Sequence, residues 1–139
     1  MNMIEPQYSG AGVIIIEKYH NKCALFIVQE NSGVWSIPGG KKEENNDVVT
    51  TAHKELLEET RGFFDISIDI LKKCEKVDIK KNDKKYKVYI LYVNSDLPIS
   101  RENYYSNKYL LDNSNFPNFW KETKKLDRIY LDIFLRNNI

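Results

Sequence analysis

Two observations in the sequence predict an α+β fold, in which a mixed β-sheet is layered with helices. Short β-branched and apolar stretches, which are typical of strands, follow one another early in the chain and recur after its middle. Helical patterns are few and separated, one near the middle and one at the end. At 139 residues, with 42% hydrophobic and 29% charged content, the chain is expected to form one domain, residues 1–139.

The first third of the chain predicts three strands. Residues 12–17 form a buried strand and residues 23–29 a second one. The turn residues 20–22 between them predict a hairpin. Residues 34–37 form a short third strand, which Pro38 and the glycines after it stop.

One helix and then two further strands are predicted next. The helix runs from Asp47, an acid in its first turn, to about Arg61, with Asn45 or Asn46 as its N-cap and Gly62 as its stop. Residues 71–79 and 84–93 are predicted as two long strands around a turn at Asn82-Asp83. Residues 97–116 are predicted as a long loop, with a short helix as the alternative. A last strand at 128–131 and a terminal helix at 131–136 follow.

Composition excludes several classes of protein. The net charge of +1 gives no global attraction to nucleic acid or membrane. No apolar stretch approaches the ~18 residues of a membrane span, and residues 1–10 lack the pattern of a secretion signal. Cys23 and Cys74 are expected to be reduced thiols that form no metal site with His20 or His53. We therefore expect a cytoplasmic location, or the host cytoplasm for a viral protein.

The middle helix carries an unusual group of acids. At about 100° per residue, Val48, Val49, Ala52 and Leu56 form an apolar stripe. The carboxylates lie within an arc of about 100° that overlaps this stripe; they are Glu55, Glu58 and Glu59. Like charges at these spacings destabilise a helix, and a carboxylate inside the stripe is costly unless something pairs with it. Mg²⁺ would remove both costs, whereas the alternative is a solvated acidic face.

The loop before the helix adds to this pattern. Paired glycines let the backbone approach a ligand closely, so the Gly39 carbonyl could complete a metal site and Lys41 could bind a phosphate oxygen. The alternative is a tight connection between a strand and a helix.

The combination resembles the box of the Nudix hydrolase family. That pattern reads Gly, five residues, Glu, seven residues, then Arg-Glu-aliphatic-any-Glu-Glu-any-Gly-aliphatic. Here Gly40 is followed by five residues, then Asn46, then seven residues and KELLEE at 54–59. The box covers about 23 residues of the chain, and the approach to it, residues 35–39, is also similar to that of many members. The resemblance implies a Nudix-like α/β/α sandwich.

The sequence departs from the box at three positions. Asn46 stands in place of the first Glu, which in the family is usually an auxiliary ligand; we expect activity to survive with weaker metal binding. Lys54 replaces Arg and loses its bidentate fork, so that it either pairs with Glu58 or is solvated. Arg61 occupies the Gly position with Gly62 after it, which predicts a helix one residue longer.

By resemblance, several residues acquire roles. Glu58 and Glu59 are metal ligands together with the Gly39 carbonyl, and the ion is Mg²⁺ or Mn²⁺. Glu55 is a further candidate ligand, and a candidate general base or a carboxylate that orients one. Glu122 is an additional candidate, since a late-loop Glu often serves in this family; the alternative is a solvated charge.

The implied reaction is attack of water on a phosphorus of a diphosphate linkage. A nucleoside diphosphate derivative is the broadest expectation for the substrate, with capped RNA, a dinucleoside polyphosphate or an inositol pyrophosphate as alternatives. A lysine-rich segment favours a long anion or RNA, unless the lysines only protect an edge strand; its members are Lys72, Lys73, Lys76, Lys80, Lys81, Lys84, Lys85 and Lys87.

Two other functions remain open. The first is a catalytically silent Nudix-fold binding module, which the departures at Asn46 and Arg61 favour. The second is an RNA-binding protein that uses Lys80, Lys81, Lys84 and Lys85.

Overall fold

A computed structural model of the chain describes residues 7–19, 21–62, 64–93 and 123–137. The strands are β1 Gly10–Tyr19, β2 Lys22–Glu30, β3 Trp35–Ser36, β4 Gly39–Lys41, β5 Glu75–Lys81, β6 Lys84–Val93 and β7 Thr123–Tyr130. The helices are α1 Val48–Glu59, α2 Ile68–Lys73 and α3 Leu131–Asn137. The strands form one mixed sheet, because β1 and β6 are parallel and the other pairs are antiparallel. The predicted α+β class is confirmed.

The predicted hairpin of the first two strands is confirmed, with both strands longer than expected. Strands β1 and β2 pair from Ile16 opposite Leu25 to Tyr19 opposite Lys22. Asn21 in the turn has φ 61°, a left-handed conformation that Asn tolerates better than most residues. The central residues of both strands are buried because each contributes side chains to the core.

The glycine segment after β3 was predicted as a loop, and this was wrong. Gly39–Lys41 is a strand, β4, that pairs with the start of β1, with Gly12 opposite Gly39 and Gly10 opposite Lys41. A Cβ at Gly12 would lie 2.8 Å from the carbonyl oxygen of Pro38. The glycines therefore serve the close approach of two backbones, and not the turn that their composition suggested.

The strand predicted at 71–79 was also wrong in its first part. Residues Ile68–Lys73 form helix α2, capped by Ser67, whose side chain accepts a hydrogen bond from the Ile70 backbone N–H. Leu71 is fully buried on this helix. Strand β5 starts only at Glu75, and Asn82 and Asp83, both with positive φ, form the predicted turn to β6.

The end of the described chain matches the expectation more closely. Strand β7 pairs with β2 along its length, with Ile129 opposite Leu25, and is longer than the predicted 128–131. Helix α3 follows directly and packs against β2 and β7. The predicted loop at 97–116 lies outside the described residues.

The core lies between α1, α2 and one face of the sheet. It includes an aromatic contact between Phe26 and Phe64, whose ring centroids are 5.0 Å apart in an edge-on arrangement. Helix α1 packs across β1 and β4, and this contact brings the acidic helix against the glycine strand. Among the described residues, no helix is long and apolar enough to cross a membrane.

Candidate active site

Helix α1 begins one residue later than predicted. Asp47 is its N-cap, and neither Asn45 nor Asn46 has that role, because the Asp47 carboxylate accepts a hydrogen bond of 2.8 Å from the Thr50 backbone N–H. Hydrogen bonds from Thr50, first that of its side chain and then this one from its backbone N–H, hold the pKa of Asp47 below its usual value. Asn46 lies in the preceding turn, where its backbone N–H donates to the Glu43 carbonyl.

Helix α1 ends at Glu59, so the expected extension by one residue was wrong. The backbone N–H of Gly62 donates to the Leu57 carbonyl, and that of Arg61 donates to the Glu58 carbonyl, as in a Schellman motif. Arg61 adopts the left-handed conformation, with φ 51°, at the position where the box has Gly. The helix thus stops where a glycine would stop it, at the cost of backbone strain.

The face of α1 predicted from the helical wheel is confirmed. Val49, Ala52 and Leu56 are buried in the core. Glu58 and Glu59 are 8% and 9% exposed, although they are acids. Since burial of a carboxylate is costly unless it is paired or binds a cation, these residues are more than a solvated acidic face.

The Glu59 side chain is fixed against the glycine strand. Its Oε1 accepts a hydrogen bond of 2.6 Å from the backbone N–H of Gly39. Gly39 of β4 therefore lies beside Glu59, as the predicted metal site requires. The observed contact is made by the Gly39 N–H, whereas the predicted metal ligand is the Gly39 carbonyl oxygen. This hydrogen bond links α1 and β4 at the point where both carry the residues of the box.

Glu55 lies one turn earlier and packs on Gly40. A Cβ added to Gly40 would be 2.4 Å from the Glu55 carboxylate carbon and 2.6 and 2.7 Å from its two oxygens. A side chain at this first Gly of the box would therefore have to displace the Glu55 carboxylate, which is the end of a flexible side chain. The structure thus places Glu59 against Gly39 and Glu55 against Gly40 at the junction of α1 and β4, with Glu58 next to Glu59 on the helix.

Lys54 bridges two acids. Its Nζ lies 3.0 Å from Glu43 Oε1 and 3.9 Å from Glu58 Oε1. The hydrogen bond to Glu43, and then the charge of Glu58, raise the pKa of Lys54. The predicted pair with Glu58 is therefore present, and Glu43 is the nearer partner, which the sequence did not reveal.

The donor set fits a hard divalent cation. Among the described residues, no three acidic, histidine or cysteine side chains converge as metal ligands. Mg²⁺ needs fewer, because it is usually bound by one or two carboxylates plus waters and substrate phosphates. Glu58 and Glu59 offer two buried carboxylates, of which Glu59 lies beside the backbone of Gly39.

The other candidate residues are less constrained. Lys41 is exposed at the end of β4, close to the glycines in sequence. Glu122 lies outside the described residues.

The lysine-rich segment divides into two parts. Lys72 and Lys73 lie on α2 and not on the hairpin. Lys85 pairs with Asp78 at 3.3 Å, and Lys85 and Lys87 both lie 5.1 Å from the Tyr8 ring centroid. Lys80 and Lys81 end β5 and Lys84 begins β6, so these three exposed lysines lie at the tip of the hairpin. Strand β5 is exposed along its whole length.

A buried ion pair on the sheet was not foreseen. Glu17 of β1 is 1% exposed and pairs with Arg128 of β7, whose guanidinium lies 5.3 Å from the Phe26 ring centroid. The strand alternation of Val13, Ile15 and Glu17 could have revealed it, because it points an acid into the core.

Comparisons with known proteins agree with this geometry. A family model described as the NUDIX domain matches residues 7–103, more than half of the 139-residue chain. A search of curated proteins returned no match.

Solved structures share the fold. A complex of the Caenorhabditis elegans (C. elegans) Ap4A hydrolase has 17% identity and a TM-score of 0.57, over 91% of this chain and 82% of that one. The NUDIX domain of Shewanella oneidensis NrtR with ADP ribose has 13% identity and a TM-score of 0.57, over 96% and 79%. A bifunctional NMN adenylyltransferase/ADP ribose pyrophosphatase from Francisella tularensis, complexed with AMP and a manganese ion, has 15% identity and a TM-score of 0.61, over 96% and 37%. With the family model, the shared fold and the box on α1 and β4, the chain belongs to the NUDIX domain family.

Proposed function

We propose that the protein is a divalent-metal-dependent hydrolase that cleaves a pyrophosphate linkage in a nucleoside diphosphate derivative. The observation that carries the proposal is the burial of two adjacent acids, Glu58 and Glu59, the second of which accepts a hydrogen bond from Gly39 of the glycine strand. Two adjacent buried carboxylates are costly in a helix of purely structural purpose. A bound cation would offset that cost.

The metal would be Mg²⁺ or Mn²⁺, held by Glu58, Glu59 and the Gly39 carbonyl, with Glu55 as a further ligand or as the base. When bound, the ion neutralises charge on the phosphate oxygens and makes the attacking water more acidic. Oxygen is the ligand type that these hard ions prefer. The relative from Francisella tularensis, described with a manganese ion, supports this choice.

The residues of the chain supply position and proton transfer. Glu55, fixed on Gly40, accepts the proton of the attacking water. The water oxygen forms a bond to one phosphorus, the bond from that phosphorus to the bridging oxygen breaks, and the leaving phosphate keeps the electron pair. Lys41, exposed at the end of β4, binds a phosphate oxygen of the substrate. Glu122 is a second candidate for the base.

The substrate class rests on the chemistry of the relatives. One is described as an Ap4A hydrolase, another as complexed with ADP ribose, and a third as an ADP ribose pyrophosphatase. All three descriptions name nucleotides with linked phosphates. A nucleotide whose phosphate is linked to a second group is therefore the expected substrate, with capped RNA and inositol pyrophosphates as alternatives.

A substrate panel tests the proposal. Phosphate or nucleotide release is measured for nucleoside triphosphates, dinucleoside polyphosphates, ADP-ribose, nucleotide sugars, capped RNA and inositol pyrophosphates, each with Mg²⁺ and with Mn²⁺. The Glu58→Gln, Glu59→Gln double variant is the control. Turnover that the control lacks supports the hydrolase, and binding of a nucleotide without turnover under either metal identifies a silent binding module instead.

We propose RNA binding as a second candidate function, favoured by the exposed lysines at the tip of the hairpin between β5 and β6. Replacement of Lys80, Lys81 and Lys84 by Ala should weaken RNA affinity and flatten its salt dependence, because each lysine that neutralises a phosphate releases about one counterion. Lys85 is expected to contribute less, because Asp78 already pairs with it. Unchanged affinity for every RNA tested would exclude this function.

A further inference from the structure

An ion pair connects the loop before α1 to one of the buried acids. Lys54 lies between Glu43 of the loop and Glu58 of the helix, at 3.0 and 3.9 Å. The side chains become more buried along this series, from 68% exposed for Glu43 through 36% for Lys54 to 10% for Glu58. The ammonium of Lys54 therefore connects the loop acid to the buried carboxylate.

Glu43 belongs to the same turn as Asn46. The Asn46 backbone N–H donates to the Glu43 carbonyl at 3.1 Å, so these residues are the first and last of a four-residue turn. The Cα atoms at the two ends of such a turn lie within about 7 Å of each other. The box has its first Glu at the position of Asn46. In this chain a carboxylate stands at the other end of the turn.

We propose that Glu43 is a positioning residue in the turn where the box has its first carboxylate: it holds Lys54 and thereby keeps the Glu58 carboxylate available to a divalent cation. The metal role of Glu58 rests on the proposed function above. The position of Glu43 next to Lys54 does not.

The chemistry of lysine explains why such an anchor is needed. An arginine, as in the box, presents a planar fork that can bind two carboxylates at once, whereas the lysine ammonium is a compact charge on a flexible stem. Glu43 takes up this charge at hydrogen-bonding distance and leaves Glu58 at a longer distance. Without Glu43, the ammonium of Lys54 would lie closer to Glu58 and compete there with the cation.

The test compares the wild-type protein with three variants. Glu43→Gln removes the anchor, and Glu43→Gln with Asn46→Glu returns a carboxylate at the other end of the turn. Glu44→Gln is the matched control, since Glu44 is an exposed acid of the same turn and the described structure gives it no ion pair. Two quantities are measured: the dissociation constant of Mn²⁺ by calorimetry without substrate, and the Mg²⁺ concentration for half-maximal turnover.

Glu43→Gln should raise both quantities about three- to tenfold, between the effect of an exposed ion pair and that of a residue that orients a metal ligand. The double variant should return both to within about twofold of wild type, and Glu44→Gln should leave them unchanged. Equal shifts in Glu43→Gln and Glu44→Gln, or no recovery in the double variant, would overturn the inference.

The two measurements separate this inference from the proposed function. A specific loss of Mn²⁺ affinity in Glu43→Gln, with no turnover of any substrate by the wild-type protein, supports the positioning role and rejects the hydrolase. Turnover by the wild-type protein with identical metal dependence in Glu43→Gln and Glu44→Gln supports the hydrolase and rejects the positioning role.

Discussion

Replacement of Glu59 by Gln should separate activity from stability. Glu59 is 9% exposed, and its Oε1 accepts the 2.6 Å hydrogen bond from Gly39. Glutamine has nearly the same shape and keeps an acceptor oxygen for this bond. A hydrogen bond to a charged group is worth about 1 kcal/mol more than one between neutral groups, and removal of a buried charge offsets part of the loss. The free energy of unfolding should therefore change by no more than about 1 kcal/mol.

The effect on catalysis should be much larger. Loss of one group that stabilises charge in the transition state typically lowers kcat about 10²–10³-fold, or about 3–4 kcal/mol. The assay is kcat/KM for the best substrate of the panel, together with urea unfolding of the same preparations. Glu44→Gln, which removes one exposed acid, is the control for net charge. A folded Glu59→Gln protein that keeps more than about a tenth of wild-type kcat/KM would refute the assigned role of Glu59.

Three further predictions concern the support of the site and the fold. Gly40→Ala should lower kcat at least about tenfold, because the added Cβ would lie 2.4 Å from the Glu55 carboxylate carbon. Gly62→Ala should cost only about 1 kcal/mol of backbone strain and leave kcat unchanged. Equal kcat in the two variants by steady-state assay would contradict this prediction. Glu17→Gln should lower the free energy of unfolding by about 3 kcal/mol, because Arg128 loses its buried anionic partner. A double-mutant cycle with Arg128→Met, measured by urea unfolding, should show that the two losses are not additive. Additive losses would mean that the pair is not coupled. Asp47→Ala should cost about 1 kcal/mol at pH 7 through loss of the cap. Because the folded pKa of Asp47 is lowered, the stabilisation by the charged cap is present above the unfolded pKa near 3.8 and is lost as pH falls through the folded pKa. The difference in thermal stability between wild type and Asp47→Asn should therefore shrink in acid. A difference that does not depend on pH would argue against a role for the charge of Asp47.

The sequence predicted the site better than its surroundings. The spacing of apolar and acidic residues on α1 required only the period of a helix, so Glu59 was correctly placed at the edge of the apolar stripe, whereas the burial of Glu58 was not predicted. The spacing from Gly40 to Glu59 likewise predicted that the glycines and the acids meet. Local periodicity and one motif were sufficient for these features.

The errors arose where tertiary contacts decide the conformation. Gly39 and Gly40 have the composition of a loop. They form a strand because they pair with the start of β1, where glycines again allow two backbones to approach closely. Leu71 and its neighbours fit a strand by composition, and Ser67 and the core contact of Leu71 make them a helix.

The partners of Lys54 and Glu17 were not foreseeable from local patterns. Glu43 reaches Lys54 across the turn that leads into α1, and Arg128 reaches Glu17 from a strand more than a hundred residues later. Such pairs depend on loop geometry and strand order. Neither can be derived from spacing along the chain.

The position of a bound metal ion is the decisive measurement for the proposed site. Crystals grown with Mn²⁺ and measured near the manganese absorption edge would show the ion as a peak in the anomalous difference map. We predict a peak in contact with carboxylate oxygens of Glu58 or Glu59, beside Gly39, with Glu55 close to it. An ion bound elsewhere, or none at this site at Mn²⁺ concentrations that support turnover, would contradict the proposed metal site.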